Sequence, residues 1–300
     1  MGKTRIEWSE EVWNPVVGCT KVSAGCKNCY AERIYERFHP GQKFSEVRCL
    51  PGRLDAPLHW RKPRRVFVNS MSDLFHEDVP IQFFTEIYRS ILMNYQHTFI
   101  VLTKRPERMV VTMKTVIDLE GFVLDNLWLG VSVEDQDTAD RRIPLLLQTP
   151  AAMRFVSVEP MLGPVDLPKC FKPEDEDWEE INNILDANGD CEPEEFIEEC
   201  EEECDWINYG NNLVVSSEWR EWISWRKWRA ERFAMGRKLD WVIVGGESGP
   251  KARPMKMEWL RSVVEQCKET GVPVFVKQDS GLRPGRQGRI PDELWIKEYP

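Results

Sequence analysis

The 300-residue chain contains no run of about 18 apolar residues, so it offers no membrane-spanning helix and no membrane partner is expected. Its first residues, MGKTRIEW, lack the apolar stretch of a secretory signal, and Ile6 stands where a myristoylation signal carries Ser or Thr. The expected location is cytoplasmic. With no export signal, the nine cysteines are not read as a disulfide framework. In a reducing compartment, closely spaced cysteines indicate metal binding or redox chemistry instead. Lysine and arginine are absent from residues 174–205, which hold 17 Asp and Glu. The net charge of −10 is therefore a local property, since the remainder carries 40 basic against 33 acidic residues. A mildly basic body is compatible with a polyanionic partner, which a uniformly acidic one would repel.

What the chain does have is a recurring strand signal. VFVNS (66–70), TFIVLT (98–103), LWLGVSVE (127–134), RFVSVEP (154–160), WVIVGGES (241–248) and PVFVKQ (273–278) are apolar on both faces, as strands of a covered parallel sheet are. VWNPVVG (12–18) is a candidate first strand despite Pro15. Between them, 80–95 places Phe83, Phe84, Ile87, Ile91 and Leu92 on one helical face. Residues 256–270 do the same with Leu260, Val263, Val264 and Cys267, and Gly271 supplies the stop. Alternating strands and helices imply right-handed βαβ units. The fold class expected is α/β, a full or partial (β/α) TIM-type barrel. The long interval between the strands at 154 and 241 implies an inserted acidic, Trp-rich helical lobe at 170–238. It would divide the barrel into 1–169, with the cysteine motif, and 239–300, with its completion.

Cys19, Cys26 and Cys29 form the pattern C-x6-C-x2-C in GCTKVSAGCKNCYAE. A structural zinc site closes with four ligands, so zinc would need a fourth from Cys49, His39, His76 or the insertion. Three thiolates with an open position suit instead an iron–sulfur cluster whose fourth iron binds a substrate or cofactor. Barrel function collects at the carboxyl ends of strands. Those ends are polar here: Ser70 and Asp73, Lys104 and Arg105, Ser132 and Glu134, Glu159, then Gly245, Gly246 and Glu247, and finally Lys277. So many polar groups on one rim call for a polar ligand to pair with. Each also has a plainer explanation: Glu134 and Asp135 could cap a helix, Lys104 and Arg105 could be a solvated pair, and GGESG a simple turn.

A cysteine triad after the first strand of such a barrel resembles the radical S-adenosylmethionine (SAM) superfamily. More closely, WNPVVGCTKVSAGCKNCYAE, FVNSMSDLFH, LTKRPERM, LGVSVED, VSVEPMLGP, DWVIVGGESGPKARPM and FVKQ resemble a phage-associated family with a three-cysteine motif. The superfamily's commonest spacing is C-x3-C-x2-C, and the first gap here is six residues. The resemblance implies a [4Fe-4S] cluster on Cys19, Cys26 and Cys29, with SAM bound at its open iron. It implies Glu134 and Ser132 near the ribose or amino group and Gly245 and Gly246 beside the adenine. Asp73 or Ser70 would replace an acidic motif that usually follows the second strand. A reductant such as flavodoxin or ferredoxin would supply one electron, SAM would be cleaved to a 5′-deoxyadenosyl radical, and hydrogen would be abstracted from substrate. Phage association implies nucleic acid or a nucleotide as that substrate.

Two other functions stay open: a zinc-stapled, non-enzymatic module of phage origin that binds nucleic acid or protein, and a barrel enzyme whose rim binds a phosphorylated ligand. In the insertion, 186–199 mimics a calcium loop but has Cys191 and Ile197 where Gly and Glu are required, so an EF-hand is rejected. Cys200 and Cys204 allow a second metal site, but a solvated acidic helix is the preferred reading. Trp219, Trp222, Trp225 and Trp228, interleaved with arginines, either stack bases or pack the lobe onto the barrel.

Overall fold

The computed structural model describes residue 4 and residues 6–167 and 238–300. The expected lobe at 170–238, with its acidic run, four cysteines and Trp stripe, therefore lies outside the described residues, apart from Lys238.

Seven strands form one parallel sheet: β1 (Glu11–Trp13), β4 (Arg65–Val68), β5 (Thr98–Thr103), β6 (Leu127–Val133), β7 (Met153–Val158), β8 (Trp241–Gly245) and β9 (Val274–Gln278). Their order, β1-β4-β5-β6-β7-β8-β9, follows the chain, as successive right-handed βαβ units require. A short antiparallel pair, β2 (Val16–Val17) with β3 (Arg48–Cys49), stands beside β1.

The sheet is curled. In a flat sheet β4 and β8 would lie about 19 Å apart, at roughly 4.8 Å per strand. Trp8 nevertheless packs against both Phe67 of β4 (4.7 Å between ring centroids) and Trp241 of β8 (6.3 Å). With β1 and β9 unpaired to each other, the result is a half-barrel rather than a closed one.

Strand alternation divides the apolar residues between two cores. Val66, Val68, Phe99, Val101, Leu129, Val131, Val156, Val158, Val242, Val244, Val274 and Val276 pack outward against the helices. Phe67, Ile100, Phe155, Trp241, Ile243 and Phe275 join Trp8 in the hollow of the half-barrel. Both faces of these strands are thus covered, which is why their sequences read as continuous hydrophobic runs. The helices α2 (Ile81–Met93), α3 (Pro106–Glu120), α4 (Gln136–Gln148) and α5 (Met257–Thr270) supply the outer layer. Local chemistry sets their ends. Pro106 opens α3, Asp135 caps α4 with its side chain on the Thr138 amide, and Gly121 and Gly271 end α3 and α5 in the left-handed region.

The candidate strand 12–18 proves to be two strands. The chain leaves the main sheet at Asn14–Pro15, where proline cannot donate to a ladder, and re-pairs through β2 with β3. Asn14 holds the break by accepting hydrogen bonds from Ser70 Oγ and the Met71 amide.

On the inner face, Gly130 of β6 leaves room for the Phe155 ring, which would come within 2.5 Å of an added Cβ. Gly130→Ala is expected to cost about 1–3 kcal/mol in urea unfolding, the range for overpacking a core. Phe155→Leu in the same chain should recover part of that loss.

Candidate functional site

The alternation that fills the hollow with aromatics changes character toward the carboxyl ends. There the inward register continues through Ser132, Ser157, Gly245 and Lys277, then Glu134, Glu159 and Glu247 just beyond the strands. Across this rim lies the loop from β2 to α1 (Tyr30–Phe38), which carries Cys19, Cys26 and Cys29.

Four strand ends pin that loop. At β4 the Gly18 amide donates to the Met71 carbonyl, and Tyr30 Oη donates to the Ser70 carbonyl at 2.6 Å. From the turn after β5, Arg105 binds the Thr20 carbonyl and Oγ1 with Nη2, and Cys19 Sγ (3.6 Å) and Asp73 (3.3 Å) with Nη1. After β6, Ser23 Oγ donates to Glu134 Oε1 at 2.7 Å. Gly25 packs so close to the same carboxylate that any side chain there would collide with it. After β8, Asn28 Nδ2 donates to Glu247 Oε2 at 2.9 Å. The ends of β7 and β9 meet each other instead, with Lys277 Nζ on both oxygens of Glu159 at 2.7 and 2.9 Å.

Glu134 is fully buried and is held by Ser23, by Lys104 (3.6 Å) and by the equally buried Arg142 of α4 (3.2 Å). Helix capping falls to its neighbour Asp135. Asp73 spends both oxygens within the protein, on Thr103 Oγ1 and the Phe75 amide through one, and on the Lys104 amide and Arg105 through the other. Arg105 is buried, so 104–105 is not a solvated pair. Glu247 takes two hydrogen bonds from the Arg253 side chain and one from its amide. Although burial raises its pKa, these bonds and Asn28 prevail and hold it down at about 2. Gly246 lacks a side chain because the Ser280 backbone and hydroxyl occupy that space. Gly245 has ordinary contacts with Lys277 and Gln278. Ser70 donates to Asn14.

The thiols differ. Burial and Asp73 push Cys19 up to about 11, with Arg105 opposing them. An isolated thiolate is thus disfavoured there, and its neutralisation by a bound cation would relieve the burial cost. Cys26 Sγ lies 3.9 Å from Ser23 Oγ. Among the described residues, no three His, Cys, Asp or Glu side chains are gathered tightly enough to hold a metal ion. Of the candidate fourth zinc ligands among the described residues, Cys49 lies in β3, His39 stacks on Tyr35, and His76 is buried beside the cysteine loop, while those of the insertion lie outside the described residues. His76 Nδ1 accepts from the Asp78 amide, so the neutral ring directs Nε2–H to Thr20 Oγ1 at 2.8 Å.

Among the described residues several buried polar atoms lack a partner, and at the rim these include Arg142 Nε and Nη2 and Asn69 Nδ2. Asn69, at the carboxyl end of β4 and 4% exposed, accepts from the Val16 amide through Oδ1, while its buried Nδ2 binds nothing. A buried donor without an acceptor costs about 1–3 kcal/mol, and a ligand at the rim would repay it.

A 560 Å³ pocket lined by Ser9, Glu10, Glu11, Lys62 and Arg64 lies at the opposite, amino-terminal end of the sheet, away from these groups.

The site therefore includes residues that strand-end reasoning does not single out: Ser23, Asn28, Arg142 and Arg253. Arg142 and Arg253 leave no sequence signal, since each is an arginine in a helix or loop like many others. Asn69, a polar residue closing an apolar strand, belongs with the strand-end positions legible in the sequence.

Fold and site together define an α/β half-barrel with a three-cysteine loop laid across its carboxyl rim. The chain belongs to the family described as "Protein of unknown function (DUF5131)", whose model matches residues 3–294. No curated protein and no solved structure matches it.

Glu247 ties the cysteine loop to β8, and its carboxyl is depressed from 4.5 to about 2 on folding. The stability it contributes is therefore complete above pH 4.5 and lost as pH falls from there toward 2. Glu247→Gln should be less stable than wild type by about 2–3 kcal/mol at pH 7. In chemical denaturation that gap should close across the same acid window.

Proposed function

We propose that the chain is a radical SAM-type enzyme. In this reading Cys19, Cys26 and Cys29 hold a [4Fe-4S] cluster, and the rim from β4 to β9 holds S-adenosylmethionine. The observation that carries it is the placement of one three-cysteine loop over the carboxyl ends of a curled parallel sheet lined with carboxylates, amides and a lysine. The half-barrel is then a partial TIM-type barrel with residues 170–238 as its inserted lobe, working in the cytoplasm with flavodoxin or ferredoxin as reductant. The likeness of its motifs to a phage-associated family makes nucleic acid or a nucleotide its substrate.

The donor set suits such a group in its chemistry: three thiols share one short loop over the rim, although they are not drawn together there tightly enough to hold a metal ion. Asn69 Nδ2 is a buried donor awaiting an acceptor. When bound, the cluster and SAM supply one-electron chemistry that ends in hydrogen abstraction from the substrate. The protein's own groups supply the setting. Arg105 places a fixed positive charge at the Cys19 sulfur, as outer-shell donors to metal-bound thiolates do. Glu159, paired with Lys277 and only partly buried, offers an acceptor to an ammonium or a ribose, while buried Glu134 fixes the loop that carries the cysteines. Beneath them the aromatic floor of Phe155, Trp241 and Phe275 keeps water from the sheet side.

Anaerobic purification followed by iron, sulfide and zinc analysis tests this reading. Iron and sulfide in equal amounts are expected, with 5′-deoxyadenosine and methionine released from SAM on reduction, and Cys26→Ala should lose all four. Asn69→Ala should keep the iron and bind SAM about 5- to 100-fold more weakly, corresponding to roughly 1–3 kcal/mol. Stoichiometric zinc without iron would overturn the assignment in favour of a stapled binding module.

A further inference from the structure

Three segments join into one surface flanking the rim at β8 and β9: 20–33, with the cysteines, 246–256 after β8, and 279–289 after β9. Asn28 Nδ2 donates to the Lys251 carbonyl at 3.1 Å, linking the first two. Ser248 and Gly281 form a parallel bridge, the Gly281 amide donates to the Glu247 carbonyl, and Arg289 Nη2 reaches the Met255 carbonyl at 3.1 Å.

These segments hold nine Lys and Arg against three Asp and Glu, on a chain whose net charge is −10. Each of the three acids is already neutralised by a cation of the same surface: Glu32 by Lys21, Glu247 by Arg253 and Asp279 by Arg289. Lys27, Lys251, Arg283 and Arg286 are exposed and have no acidic partner among the described residues. Arg283 and Arg286 sit in the turn GLRPGRQGR, where Gly285 and Gly288 adopt positive φ, so the backbone is committed to a tight path and the guanidinium groups project from it. Such a surplus concentrates positive potential on one face of the mildly basic body.

We propose that this surface binds the phosphodiester backbone of a single-stranded nucleic acid and presents it to the rim. Guanidinium groups match phosphate bidentately, and the absence of unpaired carboxylates removes the repulsion that a polyanion would otherwise meet. A single strand is favoured over a duplex because its bases are unpaired and free to turn toward the rim once its backbone is held here. As a statement about substrate this rests on the enzymatic reading above, whereas the binding itself does not.

The test is fluorescence anisotropy with a labelled 20-nucleotide single-stranded DNA and the corresponding RNA, across a salt series. The full-length wild type is compared with the triple variant Lys251→Ala, Arg283→Ala, Arg286→Ala. At least one oligonucleotide should bind wild type, and the triple variant should bind it tenfold or more weakly. The slope of log K against log salt should shrink by about 2, as the loss of three phosphate contacts on a single strand requires. Iron content and thermal unfolding should match wild type, since none of the three side chains supports the fold. Charge reversal, Arg283→Glu with Arg286→Glu, should weaken binding further. Equal affinity and equal slope in wild type and triple variant would overturn the proposal, as would no binding by wild type at low salt. Poly-glutamate competing as well as the oligonucleotide would also overturn it, indicating an acidic protein as the partner. Binding lost in the variant while the metal proves to be zinc would keep the surface and discard only the enzymatic reading.

Discussion

The carboxylate of Glu134 is buried completely, and the rim is arranged around keeping it charged. Removing a carboxylate from water costs several kcal/mol unless it is paired and hydrogen-bonded. Arg142 from α4, Lys104 from the turn after β5 and Ser23 from the cysteine loop meet that demand from three separate parts of the chain. Because Gly25 lies against the same carboxylate, the position of the loop follows from the position of the charge. Were Glu134 replaced by an apolar residue, Arg142 would be the buried charge left alone, with its Nε and Nη2 already lacking partners.

Around this point the half-barrel is polarised along its own axis. Alternating side chains build an aromatic floor from Trp8, Phe155, Trp241 and Phe275, and the same registers carry serines, acids and lysine at the carboxyl ends. The floor holds the curvature, and the curvature brings strand ends from β4 to β8 within reach of one loop. Arg105, Glu134 and Glu247, from the ends of β5, β6 and β8, all bind within the single ten-residue segment Cys19–Asn28.

Much of this was legible in the sequence, for definable reasons. Six strands announced themselves because both their faces are buried, which leaves uninterrupted β-branched and aromatic runs. TFIVLT matched β5 residue for residue. The polar strand ends were visible because they terminate those runs abruptly. The first strand was misjudged as continuous, since the side chain of Asn14, which stabilises the break through Ser70 and Met71, gives no local sign of doing so. Gly246 was expected to make room for a ligand, and the structure gives that room to Ser280, 34 residues further on. Asp135 does cap its helix, whereas Glu134 beside it does not, a difference that no composition of a first turn can convey.

The sequence by itself determined the parallel α/β order, the polarity of the strand ends and the three cysteines in one loop, because each is a local pattern repeated in chain order. Only the tertiary structure decided that the sheet stays open as a half-barrel and that Arg142 and Arg253 belong to the rim. It alone placed the cysteine loop across four strand ends and left Asn69 Nδ2 without a partner. These depend on contacts between residues more than 200 positions apart, such as the 219 between Asn28 and Glu247. Such contacts are selected by burial and charge pairing in three dimensions and leave no periodicity along the chain.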